Sequence, residues 1–248
     1  MAIINLPSVV TIAMSMSLVP SISEAYATGN KAKARKDTKS AIKVTLFIVL
    51  PAAFGLAALA TPIMHLLYPK EPASIGTILL VLTPCVVFLG LMQTMNGILQ
   101  GMGKPMIPVI ALCVGMVTKI VISYTLTVIP EVNVLGSALG TVTAYLVAAI
   151  IEIIYVRKAM NIKFSLKEFI IKPLITVITM FIVVKLSYGV LVGILGGKLA
   201  TVAAIAIGGL VYVVVLLFIG GIKKEEILTM PKGEKIYKLL KKLNLMRY

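Results

Sequence analysis

Two lysines lie inside apolar stretches that are long enough to cross a membrane. Lys119 is near the middle of residues 106–129, and Lys185 is within residues 173–195. A lysine at this depth costs about 3 kcal/mol on insertion scales and normally faces a cavity or a partner. Lys119 is about ten residues, or about 15 Å, from either end, so its ammonium reaches an interface only with difficulty. We predict that both lysines bind an anionic substrate; the alternative, snorkelling, is stronger for Lys185.

A polar face lies in the neighbouring apolar stretch, residues 75–100. Gln93, Asn96 and Gln100 are spaced by three and four residues, so they share one face of a helix. Amide side chains at membrane depth can bind a polar substrate or hydrogen-bond to other helices. We predict a substrate-binding face, with interhelical hydrogen bonds as the alternative.

Glycines accompany this polar face. Gly97 and Gly101 are four residues apart, a spacing that lets a second backbone approach closely. Gly103 precedes Lys104 and Pro105, and this combination predicts the end of the helix. We assign packing roles to the three glycines, and we expect Gly76, at the end of its span, to tolerate a larger side chain than Gly101.

The acidic residues are expected near the ends of spans. Pro20 and Glu24 lie at the end of the first apolar stretch, where they can gate or cap it. Glu152 is about one turn before Arg157, and this spacing predicts an ion pair at the membrane boundary. The mid-membrane charges are therefore predicted to be lysines rather than acids.

Enzyme signatures are absent from the sequence. It has no G-x-S-x-G, Walker A or H-E-x-x-H motif, and its single histidine, His65, is near the end of a span. Cys85 and Cys113 lie in apolar runs without the spacing of metal ligands. We therefore predict neither an enzyme nor a bound metal or cofactor, and no transport driven by ATP on this chain.

The composition requires lipid as the solvent for these elements. Of 248 residues, 59% are hydrophobic, and the mean hydropathy is +1.05. A soluble domain of this length cannot bury that much apolar surface, so we predict an all-α integral membrane protein. The net charge of +15 lies mainly between apolar runs, which indicates anionic membrane lipids rather than nucleic acid as the partner.

Seven stretches are long enough to span about 30 Å of hydrocarbon. Prolines predict bends at Pro51, Pro62 and Pro84. Between the first two spans, the basic residues 29–43 predict a short helix on the membrane surface. The spans cover residues 2–25, 44–67, 75–100, 106–129, 134–156, 173–195 and 199–222.

The distribution of cations predicts the topology. With the turn at Gly103 in the cytoplasm, twenty of the 24 Lys and Arg residues fall on the inner side, and only Lys70 and Lys198 fall outside. We predict a multi-pass protein of the cell membrane with its N-terminus outside and its C-terminus inside. The basic residues 223–248 predict an amphipathic helix that binds the anionic inner leaflet.

Three segments resemble a known family. The chain resembles the polysaccharide-export and lipid-flippase branch of the MOP superfamily, especially stage V sporulation protein B and its relatives among lipid II flippases. The similar segments are residues 19–37 (VPSISEAYATGNKAKARKD), 47–69 (FIVLPAAFGLAALATPIMHLLYP) and 96–105 (NGILQGMGKP). The turns at residues 20–26 and 100–105 carry most of this resemblance. It extends over the whole chain.

The resemblance implies an architecture. Members of the branch have two six-helix lobes around a central cavity, often followed by two further helices. On that plan residues 1–157 are five helices of the second lobe, residues 158–222 the additional pair, and residues 223–248 the basic tail. We expect the chain to be a C-terminal half, either a fragment or part of a split transporter, with the N-terminal lobe supplied in cis or in trans.

The resemblance also implies a substrate, an undecaprenyl-pyrophosphate-linked precursor of the cell wall or of a polysaccharide, such as lipid II. Lys119 can meet the anionic head, and grooves between helices can hold the apolar tail. Two alternatives remain: a multidrug or cation antiporter of the same superfamily, and a non-transporting scaffold that binds anionic lipid or a division or sporulation partner. Replacing Lys119 distinguishes the scaffold from the flippase.

Overall fold

The computed structural model describes residues 2–70, 74–162, 164–165 and 167–220, and all regular structure in these residues is helical. The predicted amphipathic tail, residues 223–248, lies outside them. The helices are α1 (Ala2–Ala27), α2 (Lys31–Ala58), α3 (Ala60–Leu67), α4 (Ser74–Leu82), α5 (Pro84–Gly101), α6 (Met106–Thr127), α7 (Val134–Met160) and α8 (Lys172–Phe218), with a π-helical turn, Lys167–Ile171, before α8.

Two of the three prolines expected to bend helices coincide with breaks. The α2–α3 break at Leu59 precedes Pro62, whose nitrogen cannot donate to the carbonyl of Ala58. The α4–α5 break precedes Pro84, which begins α5, and the hydroxyl of Thr83 donates to the carbonyl of Leu80 at 2.8 Å. Pro51 lies inside α2 without ending it.

The basic segment after α1 differs from its prediction. It is the first part of the continuous helix α2 rather than a separate short helix on the membrane surface. Its alanines and lysines favour helix, and no proline or glycine occurs between Lys31 and Pro51 to break it. Ser21 on α1 donates to the carboxylate of Asp37 at 2.7 Å, so this part of α2 packs against its neighbour.

Helix α8 contains the last two predicted spans as a hairpin. Gly196 has a φ of +75°, a value that favours glycine, and it interrupts the helical geometry. Lys172 Nζ donates to the carbonyl of Gly220 at 3.2 Å, and Gly208 faces the side chain of Val184. The two residues of each pair are equally far from Gly196 along the sequence, so the two arms of α8 run antiparallel. The described residues contain six helices that are long and apolar enough to cross a membrane, and Gly196 divides the last of them into the two arms that correspond to the sixth and seventh predicted spans.

The chain divides into two compact units, one up to Phe164 and one from Ser165 onward. The first contains α1–α7, with α5 packed between α1, α2 and α7, and with α6 packed against α7. One part of its core joins Leu89 and Met92 of α5, Ala111 of α6, and Ala148 and Ala149 of α7. The described part of the second unit contains the hairpin α8 with the preceding π-helical turn.

Candidate functional site

The basic ends of several helices meet at one end of the first unit. Ser23 on α1 donates to the carbonyl of Gly101 at the end of α5, at 3.2 Å. Arg35, near the start of α2, donates to the carbonyl of Met160 at the end of α7. The turn with Lys104 follows directly after Gly101. The cations of α2, of this turn and of the α7 terminus are therefore gathered at one end, called the basic end below.

The backbones of α1 and α5 approach each other closely along the glycine face. A Cβ placed on Gly97 would lie 2.5 Å from the backbone oxygen of Ser15, and one placed on Gly101 would lie 2.7 Å from Cβ of Ile22. Real Cβ contacts are essentially never this short, so only glycine fits at both positions. We call this contact the α1–α5 seam.

The polar face of α5 lies beside the seam, and its three residues differ in environment. The hydroxyl of Thr11 on α1 donates to Oε1 of the half-buried Gln93. Asn96 is also half-buried, but its Oδ1 is buried without a hydrogen-bond partner. Gln100 is exposed. The face therefore contains one interhelical hydrogen bond, at Gln93, and two amide side chains, Asn96 and Gln100, that can hydrogen-bond to a further partner.

Gly103 ends α5 by a regular capping arrangement. The N–H of Gly103 donates to the carbonyl of Gln100 at 2.9 Å, and that of Lys104 donates to the carbonyl of Leu99 at 2.8 Å. This is the Schellman pattern, and it requires the positive φ of +71° found at Gly103. Its role is to reverse the chain at the basic end.

Lys119 is half-buried on α6, within about 4 Å of the helix midpoint along the axis. It lies within electrostatic range of Cys85 near the start of α5. Cys85 precedes Asn96 by about 16 Å along α5 at 1.5 Å per residue. The structure therefore places Lys119 in the same unit as the polar face of α5 but farther from the basic end.

Lys185 belongs to the second unit. Its side chain is exposed, and Nζ lies 5.3 Å from the ring centroid of Phe181, one turn earlier on α8. The predicted substrate-binding residues therefore form no single cluster within the first unit, where Gln93, Asn96 and Gln100 are together and Lys119 is apart. Pro20 is exposed inside α1, and the exposed Glu24 pairs with Lys33 at 3.0 Å.

Two expectations were wrong. Gly76 is buried rather than open, since a Cβ there would lie 2.8 Å from Cα of Thr61; α3 and α4 fold against each other at this point. Glu152 is fully buried, both carboxylate oxygens lack a hydrogen-bond partner, and Arg157 is exposed, so the predicted boundary ion pair does not form. The isoleucines on both sides of Glu152 were the sequence signal for its burial.

Metal-ligand clusters are not found in the part of the chain that the structure describes: no three His, Cys, Asp or Glu side chains gather there.

Comparison with known proteins identifies relatives of this chain. The chain is 26% identical over 222 residues to the lipid II flippase MurJ of Bacillus subtilis (strain 168), covering 85% of the chain and 40% of that protein. It is 25% identical to stage V sporulation protein B of the same organism over 236 residues, 93% of the chain and 44% of the relative. The chain thus spans less than half the length of these relatives.

The fold has a counterpart among solved structures. The solved structure of lipid II flippase MurJ in an inward closed conformation aligns with this chain at a TM-score of 0.66 and 20% sequence identity. The alignment covers 86% of this chain and 46% of the chain in that structure. The model of the family described as lipid II flippase MurJ matches residues 1–196. That match includes all of the first unit and the first arm of α8, and the chain belongs to the lipid II flippase MurJ family.

Proposed function

We propose that this chain provides part of a flippase for undecaprenyl-pyrophosphate-linked precursors of the cell wall or of a polysaccharide. The observation that carries this proposal is the family match over residues 1–196. The relatives named above are a lipid II flippase and a sporulation protein, and both are longer than this chain. On the family plan, α1–α7 are helices of the second lobe, and the two arms of α8 are the additional pair.

The substrate chemistry fits the charges of the first unit. A polyprenyl pyrophosphate has an anionic head, which requires a cation in a wet part of the membrane domain. Lys119 is half-buried near the middle of α6, where no interface is close. The exposed Gln100 and the half-buried Asn96 add amide groups that can hydrogen-bond to sugar or phosphate. Lys185 is a second candidate cation, on α8.

The exposed side of α1 supports a second lobe as the partner. Leu6 and Met16 are exposed on this helix, as are the polar side chains of Asn5 and Ser17. Such a mixed face suits neither lipid nor water alone. It fits a cavity wall shared with the N-terminal lobe, supplied in cis or in trans, and rocking of two lobes would give access to each side in turn. Within this proposal, Pro20 and Glu24 keep the role of gating or capping the end of α1.

The first experiment measures binding of a pyrophosphate lipid. The chain in nanodiscs should bind an undecaprenyl-pyrophosphate-linked sugar; Lys119→Ala should weaken binding about tenfold or more, and Lys119→Arg should retain part of it. Lys70→Ala, in an exposed turn, is the matched control. If the unaltered chain binds no pyrophosphate lipid, the proposed function is wrong. If the unaltered chain and Lys119→Ala bind the lipid equally well, Lys119 has no role in binding.

The second experiment tests the proposed orientation, with the basic end in the cytoplasm and the N-terminus outside. In a variant without Cys85 and Cys113, single cysteines are placed at Asn133 and Gly197, and at Lys104. An impermeant thiol reagent applied to intact cells should label the first two positions and spare Lys104. Labelling of Lys104 from outside would reverse the orientation.

A further inference from the structure

Two neighbouring helical segments of the first unit are each broken once. Helix α2 ends before Leu59 and α3 continues from Ala60, whereas α4 ends before Thr83 and α5 continues from Pro84. A proline accompanies each break, Pro62 in α3 and Pro84 in α5, and its nitrogen has no hydrogen for the helical bond. A single break bends one helix, but two breaks at one level allow a pair of helices to bend together.

Contacts on both sides of the breaks show that the two segments keep one antiparallel register. Between α2 and α5, Oγ1 of Thr45 lies 2.6 Å from Oγ1 of Thr94. Beyond the breaks, a Cβ on Gly76 of α4 would lie 2.8 Å from Cα of Thr61 of α3. Thr45 and Thr61 are 16 residues apart, and Gly76 and Thr94 are 18 apart. The register therefore changes by only two residues across the breaks.

This register gives the depth of the two breaks. Thr83 lies 11 residues before Thr94, and Leu59 lies 14 residues after Thr45. At 1.5 Å per residue, the breaks differ by about 4.5 Å in depth, which is less than one helical turn. They therefore lie at one level of the helix pair. Helices α3 and α4, called the α3–α4 pair below, lie beyond that level as seen from the basic end.

The backbone at the breaks departs from a straight α-helix and still forms hydrogen bonds. Leu59 has a φ of −117° and a ψ of 24°, outside the helical range, and its N–H donates to the carbonyl of Gly55 at 3.2 Å. The carbonyl of Leu80 accepts from the N–H of Thr83 at 3.2 Å and from its hydroxyl at 2.8 Å. Thr83 thus replaces the bond that Pro84 cannot make, so the chain can bend here without leaving that carbonyl unpaired.

The two segments beyond the breaks are packed on each other. Helix α3 contacts α4 more than any other element, and α4 also contacts α7. The close approach of Gly76 to the backbone of Thr61 fixes α3 against α4. The α3–α4 pair can therefore tilt by bending at Leu59 and Thr83 and sliding along α7, without separating α3 from α4.

We propose that the α3–α4 pair moves as one body about a hinge formed by Leu59 and Thr83, while the basic end stays fixed. Hinges of this kind are a few residues at the ends of elements that absorb the change in backbone angles. A tilt of about 20° moves the far end of α3, about 12 Å from Leu59, by about 4 Å. This movement goes beyond the proposed lipid translocation and does not depend on it.

The experiment measures distances between spin labels in the whole chain in lipid nanodiscs, in a variant without Cys85 and Cys113. The reporting pair is Leu67, the last residue of α3, and Ile154 of α7, near the basic end; both side chains are exposed. The distribution of distances for this pair should be about 4 Å wider than the distributions of two control pairs.

The control pairs separate this movement from other sources of width. Leu67 with Leu80 lies inside the α3–α4 pair, and Val117 with Ile154 lies on α6 and α7; all four positions are exposed. Both controls should give narrow distributions. If the distribution for Leu67 with Ile154 is no wider than these, or if either control is equally wide, the proposal is wrong.

Proline substitutions test the position of the hinge. Pro62→Ala together with Pro84→Ala restores both missing N–H groups, so the helices can continue straight, and the reporting pair should narrow to the width of the controls. Pro51→Ala is the matched control and should change nothing, because Pro51 lies inside α2 without ending it. An unchanged width in the double variant, or the same narrowing in Pro51→Ala, overturns the proposal. If the double variant does not fold, the comparison of label pairs decides alone.

Discussion

Glycines spaced by four residues occur in both units, and their surroundings differ. On α5, Gly97 and Gly101 meet the backbone and side chains of α1 at distances that leave no room for a Cβ. On α8, Gly189, Gly193 and Gly197 have the same spacing, yet apart from the adjoining residues and the local helix backbone no heavy atom of the described residues lies within 4 Å of a Cβ built there. One pattern thus accompanies a tight helix contact in the first unit and open positions in the second.

The difference shows that the spacing permits close packing without causing it. In the α1–α5 seam, α1 brings its own atoms up to the glycines, with Ser15 opposite Gly97 and Ile22 opposite Gly101. In the hairpin, the arms instead meet where Gly208 faces Val184, and Gly196 supplies the turn. The partner surface decides which glycines are required, and one sequence segment does not contain that surface.

The largest expected effect separates the two sets of glycines directly. Gly97→Leu should prevent α1 from packing against α5, because its side chain would overlap the backbone of Ser15. We expect a loss of about 3 kcal/mol or more, the upper range for overpacking. Gly193→Leu should leave stability unchanged or raise it by a few tenths of a kcal/mol to about 1 kcal/mol, since leucine favours helix over glycine. Thermal unfolding in detergent, followed by size-exclusion chromatography, measures both.

Equal melting temperatures for the two variants would mean that α1 is free to move away from α5. The seam would then be a replaceable contact, and the contrast between the two sets of glycines would disappear.

An intermediate effect is expected inside the hairpin. Gly208→Leu should separate the arms of α8, because a Cβ at this position already overlaps Cγ2 of Val184. That atom belongs to a side chain rather than to backbone, so partial adjustment should limit the loss to about 1–3 kcal/mol. Gly209→Leu is the adjacent control, with no atom within 4 Å of its Cβ position. The measurement is the distance between spin labels at Ile178 and Val214 before and after substitution, together with the melting temperature.

An unchanged label distance and melting temperature in Gly208→Leu would show that the arms are held together elsewhere. The same loss in Gly209→Leu would show that leucine is harmful anywhere in this arm.

The spans and turns could be predicted from the sequence because their causes are local. Apolar runs about 20 residues long, the prolines at positions 62 and 84, and the glycine at 103 act within a few residues of the chain. The basic segment at the start of α2 was predicted to be a separate short helix, and its continuation into the next span was missed. No breaker separates Lys31 from the apolar residues that follow it.

The environments of individual side chains could not be predicted, because they depend on distant helices. Gly76 is enclosed by Thr61 only after α3 and α4 fold together. Glu152 has Arg157 nearby in sequence, and only the packing of α7 shows that the carboxyl points into the unit instead. The roles predicted for Lys119, Lys185 and the polar face of α5 stay predictions for the binding experiment.

The smallest expected effect tests whether polar contacts add to the glycine seam. Thr11→Val removes the hydroxyl that donates to Gln93 and keeps nearly the same shape. Hydrogen bonds between membrane helices contribute about 0.6 kcal/mol on average, so the loss should be of that size. Thr179→Val on α8 is the control, because this exposed hydroxyl donates to the carbonyl of Ile175 on its own helix at 2.9 Å. A double-mutant cycle with Gln93→Leu, measured by unfolding in mixed micelles, isolates the pair energy. A coupling energy of zero would mean that glycine packing alone joins α1 to α5, whereas a coupling above about 1.7 kcal/mol, the largest value typical of such bonds, would make Thr11 and Gln93 the main link of the seam.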